Sequence, residues 1–336
     1  MSTHAPDRRD TRPVLARLGP TPPPAANPPA APRQDSPSTR HANPPSVSRL
    51  RSYVALTKPR IIELLLVTTL PPMVVAKQGM PSVWLMIATL VGGALAAGGA
   101  NAINMFVDRD IDALMHRTMK RPLVTGAVTP RNALIFAITL EVLAFAELWE
   151  FVNALSAVLA VSATLFYVFV YTLWLKRRST QNIVIGGAAG AVPVLVGWAA
   201  VTDHLSWAPV VLFAVIFIWT PPHFWALAVK YREDYEAAHV PMLPVVASFD
   251  RTARQILMYT VLLVAVSLLF APVGHMGLVY VVAATLLGAG FVFFAVRLWR
   301  QRTPRAAMRL FSYSISYLTL LFVAMAVDVL VRHWIR

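Results

Sequence analysis

The stretch VWLMIATLVGGALAAGGANAINMFVDRDID, residues 83–112, decides the fold of this chain. It opens with a long apolar run over 83–105 and ends with three aspartates. A helix needs about 20 apolar residues to cross the hydrocarbon core of a bilayer. Backbone groups inside lipid must be hydrogen-bonded within their own segment. The stretch therefore predicts a membrane-spanning helix that carries acidic residues to a membrane face.

Apolar stretches of similar length recur along the rest of the chain, and no alternating strand pattern competes with them. They predict an all-α polytopic membrane protein with nine transmembrane helices. The predicted spans are 61–77, 83–105, 132–150, 153–174, 182–201, 207–229, 256–272, 276–297 and 310–332. Only 14% of the residues are charged, whereas about 25% are charged in soluble domains, which supports this class of protein.

Residues 1–50 differ in composition from the rest of the chain. They hold twelve prolines and several arginines but few large apolar residues. Such a segment cannot bury enough apolar surface to offset the entropy of ordering it, so we predict a disordered cytoplasmic tail. It lacks the apolar core of a secretory signal. The transmembrane domain is predicted over 51–336, and the absence of cysteine excludes disulfides and thiolate metal sites.

The basic residues are distributed unevenly between the two ends of the predicted spans. Of the 30 lysines and arginines, 27 fall in the N-terminal segment or in the connections after the second, fourth, sixth and eighth spans. The positive-inside rule therefore predicts a cytoplasmic N-terminus and an external C-terminus. The net charge of +14 follows from this topology and from the tail. Nucleic-acid binding is not indicated.

Oxygen-bearing side chains follow one another at helical spacing where the second span ends. Asn104, Asp108 and Asp112 lie at i, i+4 and i+8, so they share one face if the helix continues through them, whereas Asp110 points elsewhere. Mg²⁺ prefers oxygen ligands of this kind and is often shared with substrate phosphates. The pattern predicts a site that assists the departure of a diphosphate. Simple surface ion pairs are the alternative, with Arg109, Arg117 and Arg121.

Basic side chains on the same side of the membrane are candidates for binding diphosphate oxygens. They are Arg117, Lys120, Arg121, Lys176, Arg177 and Lys230. A guanidinium binds phosphate oxygens with two parallel hydrogen bonds. The positive-inside rule accounts for each of these charges equally well, so both interpretations stay open.

A further acid, Asp234, lies four residues after Lys230 at the end of the sixth span. Asp234 is a candidate for completing the metal site, and Lys230 is a candidate for holding phosphate directly. A local ion pair between the two residues is the alternative.

Five segments of the chain resemble the UbiA superfamily of intramembrane prenyltransferases, most closely its branch that acts on protoheme. The resemblance runs from about residue 52 to 330. It rests on LTKPRIIELLLVTTLPP (56–72), NMFVDRDIDALMHRT (104–118), KRRSTQNIVIGGAAGAVPVLVGW (176–198), WTPPHFWALAVKYREDYEAAHVPMLPVV (219–246) and LFSYSISYLTLLF (310–322).

The resemblance implies nine helices around a central cavity and Mg²⁺-dependent ionisation of a prenyl diphosphate. Asn104, Asp108 and Asp112 match the first metal motif of the superfamily. Its second motif usually holds two aspartates, but here Asp234 matches one and Lys230 replaces the other. The number of metal ions therefore stays open.

The resemblance also implies the substrates and the location. Farnesyl diphosphate would donate its farnesyl group to a vinyl group of protoheme IX (heme B), giving heme O. The implied setting is the plasma membrane of a bacterium, with the mitochondrial inner membrane a weaker alternative. Beyond membrane lipid, the implied partners are a heme A synthase or other proteins of oxidase assembly.

The segment around Pro221 and Pro222 predicts an interruption of the sixth span, because prolines remove backbone donors and kink helices. His223 follows them at membrane depth. It is a candidate for contacting the porphyrin or its iron, and hydrogen bonding to a neighbouring helix is the alternative.

Two other functions compete with protoheme farnesylation. An aromatic or quinone-type acceptor would keep the metal site and change the pocket. A secondary transporter would also contain broken helices and intramembrane acids. Transporter ion sites lie near the membrane midplane, however, whereas these acids cluster at one face.

Overall fold

The computed structural model describes residues 49–335, apart from the side chains of residues 60–66 and 335. The tail predicted over 1–50 lies outside the described residues, except that its last two residues begin the first helix. The described part of the chain forms helices joined by turns and contains no strand. This confirms the all-α prediction.

Long helices occupy all nine predicted stretches. They are α2 (Pro59–Lys77), α3 (Val83–Val107), α5 (Pro130–Phe151), α6 (Ala154–Leu165), α7 (Asn182–Thr202), α8 (Trp207–Lys230), α11 (Phe249–Val273), α12 (Leu278–Gln301) and α13 (Pro304–Ile335). Helix α6 continues as a π-helix over Phe166–Leu175. The short helices are α1 (Arg49–Thr57), α4 (Arg109–Asp112), α9 (Arg232–Ala237) and α10 (Leu243–Val246).

The long helices make this a multi-pass membrane protein. Within the described residues, seven helices are long and apolar enough to cross a bilayer: α3, α6 with its π-helix, α7, α8, α11, α12 and α13. The predicted number of nine spans stays a prediction.

Two helices begin well before their predicted spans. Helix α11 starts at Phe249 because Ser248 caps it, accepting a hydrogen bond from the backbone of Arg251 at 3.2 Å. Helix α13 starts at Pro304, a favoured first residue of helices, after the cap Thr303. Polar caps outside the apolar window therefore set these ends.

The predicted interruption of α8 is wrong, because the helix is continuous from Trp207 to Lys230 with Pro221 and Pro222 inside it. Two missing backbone donors weaken a helix. Packing against α7, α11 and α13 holds this one in place.

Small residues let α3 approach its neighbour α5 closely. A side chain at Gly99 would lie 2.5 Å from Glu141, and one at Gly92 would lie 2.2 Å from Glu147. Neither position has room for a methyl group, as at close helix contacts in membranes. The C-terminal end of α3 lies beside the end of the π-helix. We call this end of the bundle the site end.

Candidate active site

The three oxygen-bearing residues predicted to share a helix face lie where one helix ends and another begins. Helix α3 ends at Val107 and α4 begins at Arg109. Helical hydrogen bonds nevertheless continue, from the backbone N–H of Asp108 to Asn104 at 2.9 Å and from that of Asp112 to Asp108 at 2.8 Å. The side chains of these three residues therefore lie on successive turns. All are buried, with 3% of Asn104, 0% of Asp108 and 2% of Asp112 exposed.

Asp108 lies at the centre of the candidate site. Its Oδ2 accepts hydrogen bonds from Asn104 Nδ2, at 2.7 Å, and from Lys176 Nζ. Among the described residues, its buried Oδ1 has no hydrogen-bond partner, and the Arg177 guanidinium lies 3.9 Å from it. Buried carboxylate oxygens are almost always hydrogen-bonded or bound to a cation. An oxygen without a hydrogen bond in this position fits a metal ligand.

Asp112 is paired with Arg121, whose Nη1 lies 2.5 Å from Asp112 Oδ2. Thr118 donates a hydrogen bond of 2.8 Å to the backbone carbonyl of Asp112. This bond closes the turn between Asp112 and Thr118, so that Arg121 lies beside the Asp112 carboxylate. The structure thus shows Arg121 in an ion pair with Asp112, as the ion-pair alternative expected, and its role as a diphosphate ligand stays a prediction.

Lys58 belongs to this cluster, although it was not among the site residues predicted from the sequence. Its Nζ donates a hydrogen bond of 2.9 Å to Asn104 Oδ1. Burial, reinforced by the charges of Arg121 and Lys176, lowers the pKa of Lys58 to about 7. The available signal was the position of Lys58 directly before Pro59, which begins α2. That position does not reveal the contact between Lys58 and Asn104.

Thr172 is a second residue that sequence reasoning missed. Its Oγ1 accepts a hydrogen bond from Asn104 Nδ2 at 3.2 Å and donates one to the carbonyl of Tyr167 at 2.9 Å. Tyr167 lies five residues earlier, which is the spacing of a π-helix. The π-helix therefore directs a buried hydroxyl to the amide of Asn104. Lys58 binds the oxygen of the same amide, so hydrogen bonds at both its oxygen and its nitrogen fix the orientation of the Asn104 side chain.

We expect Thr172→Val to weaken the site by releasing the Asn104 amide, since valine has the same shape but no hydroxyl. The rate of the reaction at this site should fall by about tenfold, the effect of losing one hydrogen bond of about 1.5 kcal/mol. Thr172→Ser is the matched control and should retain most of the activity. A loss in Thr172→Ser without a loss in Thr172→Val, measured by product mass analysis, would show that the methyl group matters and the hydroxyl does not.

Arg177 is shared between two aspartates. Its Nη1 and Nη2 each lie 2.6 Å from an oxygen of Asp110, and its Nη2 lies 3.9 Å from Asp108. Hydrogen bonding to Arg177 lowers the pKa of Asp110 to about 2. A cavity of about 410 Å³ opens here, lined by Val107, Arg109, Asp110, Thr172, Leu173 and Arg177. Asp110 is thus a partly exposed ion-pair partner apart from the three buried residues, as its spacing predicted.

Asp234 lies in a second cavity of about 350 Å³, together with Lys230 and Arg117. Its carboxylate accepts hydrogen bonds from the backbone N–H groups of His116 and Arg117, at 3.3 and 3.4 Å. Among the described residues, no contact joins Asp234 to Asn104, Asp108 or Asp112, and no three acids or histidines converge on one metal position. The structure thus shows two carboxylates and one amide in the first cluster, with Asp234 beside it.

The remaining basic candidates lie around this second cavity or on the loop before it. The Arg117 guanidinium lies over Tyr231, 5.2 Å from the ring centre, and contacts the Tyr235 hydroxyl at 3.4 Å. Lys230 Nζ also lies 5.2 Å from the ring centre of Tyr231. Lys120 is exposed on the loop. These side chains therefore form the rim of the site end.

His223 is buried between two aromatic rings. Its ring centre lies 4.1 Å from that of Trp219 and 4.6 Å from that of Phe311. Its Nδ1 forms a hydrogen bond of 2.7 Å with Ser314 Oγ. Helices α8 and α13 are thereby joined, as expected for the structural alternative. Contact between His223 and a porphyrin stays a prediction, and Nε2 is the ring nitrogen that would make it.

The fold and the site define the class of this protein. The UbiA prenyltransferase family model matches residues 65–324, and the chain belongs to that family.

Known proteins resemble this chain in sequence and in fold. A protoheme IX farnesyltransferase from Parafrankia sp. is 58% identical over 285 residues, covering 84% of this chain and 91% of that protein. A digeranylgeranylglyceryl phosphate synthase has a similar fold, with a TM-score of 0.70 at 17% identity over 84% of this chain and 98% of that one. A UbiA homolog from Archaeoglobus fulgidus bound to DMAPP and Mg²⁺ has a TM-score of 0.59 at 17% identity, covering 80% and 99% of the two chains.

Proposed function

We infer that this chain transfers a farnesyl group from farnesyl diphosphate to a vinyl group of protoheme IX, producing heme O. The observation that carries this inference is the buried carboxylate of Asp108, in a chain 58% identical to a protoheme IX farnesyltransferase. Cations surround this carboxylate, and one of its oxygens has no hydrogen-bond partner among the described residues. That identity favours protoheme over an aromatic or quinone-type acceptor. The position of the acids at one end of the bundle argues against a transporter.

The residues present fit a divalent metal, and we propose Mg²⁺ held by Asn104, Asp108 and Asp112. They offer carboxylate and amide oxygens, which hard cations prefer. Asp234 is the proposed additional ligand, facing the second cavity. A bound Mg²⁺ would act as a Lewis acid that neutralises charge on the leaving diphosphate. A solved relative in fold is described as bound to DMAPP and Mg²⁺, which supports the choice of metal.

We propose that the cations of the site exchange their carboxylate partners for diphosphate oxygens when the substrate binds. Lys176 and Arg121 pair with Asp108 and Asp112. If a diphosphate enters beside them, its oxygens offer a second set of negative charges to the same ammonium and guanidinium groups. We propose this binding role for both residues, with Arg177 and Lys58 adjacent. Arg117, Lys120 and Lys230 are the proposed outer ligands.

The chemical step breaks one bond at carbon and forms two. The bond between farnesyl carbon and diphosphate oxygen breaks as the cations stabilise the leaving group. A vinyl group of protoheme supplies the electron pair for the new carbon–carbon bond. Water then adds to the cation left on the porphyrin side and loses a proton, which the released diphosphate accepts. Apolar walls that exclude water until the acceptor is bound protect the allylic cation. His223 is the proposed porphyrin contact.

We propose that the chain lies in the plasma membrane of a bacterium, with the site end facing the cytoplasm. The cations of the site-end connections support this orientation through the positive-inside rule. A heme A synthase or another protein of oxidase assembly is the proposed recipient of the product.

Removal of divalent metal should abolish the reaction in membranes that contain the chain. Incubation with protoheme IX, farnesyl diphosphate and Mg²⁺ should yield a porphyrin heavier by one farnesyl group and one hydroxyl group, detected by mass spectrometry. A chelator should prevent its formation, and excess Mg²⁺ should restore it. Full activity with the chelator would overturn the metal proposal, and the absence of product under all conditions would overturn the function.

A further inference from the structure

A cluster of arginines lies at the site end, on helices that carry none of the candidate catalytic residues. It spans the start of α11, the end of α12 and the start of α13, and we call it the arginine surface. Its members are Arg251, Arg254, Arg297, Arg300, Arg302, Arg305 and Arg309. Asp250 is the one acidic residue between 247 and 310. The excess positive charge is therefore local and large.

Asp250 holds part of this surface together without neutralising it. Its carboxylate contacts Arg254 on one oxygen and Arg302 on the other, each at 3.0 Å, and accepts a hydrogen bond from Trp299 at 3.1 Å. Helices α11 and α12 are thereby joined at the site end. The remaining arginines have no ion pair with an acid among the described residues.

The spacing of these arginines is unfavourable unless an external anion is present. Arg305 and Arg309 are both exposed and one helical turn apart. Arg251 and Arg254 have similar spacing and exposure, although Arg254 is paired with Asp250. Like charges at such spacing destabilise a helix by a few tenths of a kcal/mol. On the opposite face of α13, Ala306, Ala307 and Leu310 are buried. The guanidinium groups therefore project from the bundle.

The depth of the arginine surface identifies the anion. On each of the three helices the exposed side chains change from apolar to arginine within one or two turns. Met258 follows Arg254 on α11, Phe293 precedes Arg297 on α12, and Ile315 follows Arg309 on α13, with 56%, 59% and 36% of these apolar residues exposed. This change marks the edge of the hydrocarbon layer. The arginines thus lie at the depth of lipid phosphates.

We propose that the arginine surface binds the headgroups of anionic phospholipids. Arginine forms paired hydrogen bonds with phosphate oxygens, and basic residues next to membrane helices attract anionic lipid. The site is separate from the proposed catalytic function and does not depend on which leaflet faces the site end.

Native mass spectrometry of the full chain, titrated with phosphatidylglycerol or phosphatidylcholine, tests this proposal. Phosphatidylglycerol should bind more tightly. The double variant Arg300→Gln/Arg305→Gln should lose about tenfold or more of that affinity, as expected for two charges near an anionic surface. Arg131→Gln/Arg178→Gln is the matched control, because both residues are exposed at the same end of the bundle. Its affinity should be unchanged.

Two results would overturn the proposal. One is equal affinity of the wild type for both lipids. The other is an equal loss in the control variant, which would assign the effect to total charge. Displacement of phosphatidylglycerol by inorganic phosphate at equal concentration would assign the surface to free anions instead. A second pair, Arg251→Gln/Arg309→Gln, should repeat the loss if the first variant folds poorly.

Discussion

Asp108→Asn should lower the rate of farnesyl transfer by at least about a hundredfold, the usual effect of removing one preorganised electrostatic group from an active site. Asp108 is completely buried and is bound by Asn104 and Lys176. Asparagine keeps the shape but removes the negative charge that would bind a cation. The rate is measured from the mass of the porphyrin product at saturating substrates.

The matched control is Asp110→Asn, the same change two residues along the chain. Asp110 is 60% exposed and pairs with Arg177, so its loss should lower the rate by much less. Equal effects of the two substitutions would show that the buried position of Asp108 has no special role. A normal rate in Asp108→Asn would remove the metal-site argument altogether.

Lys176→Gln should have the second largest effect, and it should affect both stability and activity. Lys176 is 13% exposed and pairs with a carboxylate that is not exposed at all. Breaking a buried ion pair costs about 3 kcal/mol or more, because the remaining charge is left without its partner. The melting temperature should therefore fall. The value of kcat/KM for farnesyl diphosphate should also fall, by about a hundredfold for a lost charged contact of similar energy.

The double variant Asp108→Asn/Lys176→Gln separates these two effects. It removes both charges, so the melting temperature should return most of the way to that of the wild type while activity stays low. Arg178→Gln is the control, since Arg178 is exposed two residues away, and it should change neither quantity. Recovery of activity in the double variant would mean that Lys176 acts only by neutralising Asp108.

Much of the candidate site could be predicted from local spacing. Asn104, Asp108 and Asp112 follow the period of one helix, and hydrogen bonds through Asp108 preserve that period across the junction of α3 and α4. The contacts of Lys58 and Thr172 could not be predicted in this way. They lie 46 and 68 residues from Asn104 along the chain, and no periodicity records such a separation. The π-helix, which directs the Thr172 hydroxyl towards Asn104, also cannot be recognised from the pattern of an apolar sequence.

The apolar runs of this sequence by themselves determined an all-helical membrane protein, because a buried backbone in lipid has few ways to satisfy its hydrogen bonds. Local spacing also determined which oxygens share a helix face. Only the tertiary structure decided which cations meet those oxygens. Lys176 and Arg121 meet the aspartates, while Asp234 binds backbone N–H groups beside them. The physical reason is that burial and packing between distant helices select partners for a charge, and a linear pattern contains neither.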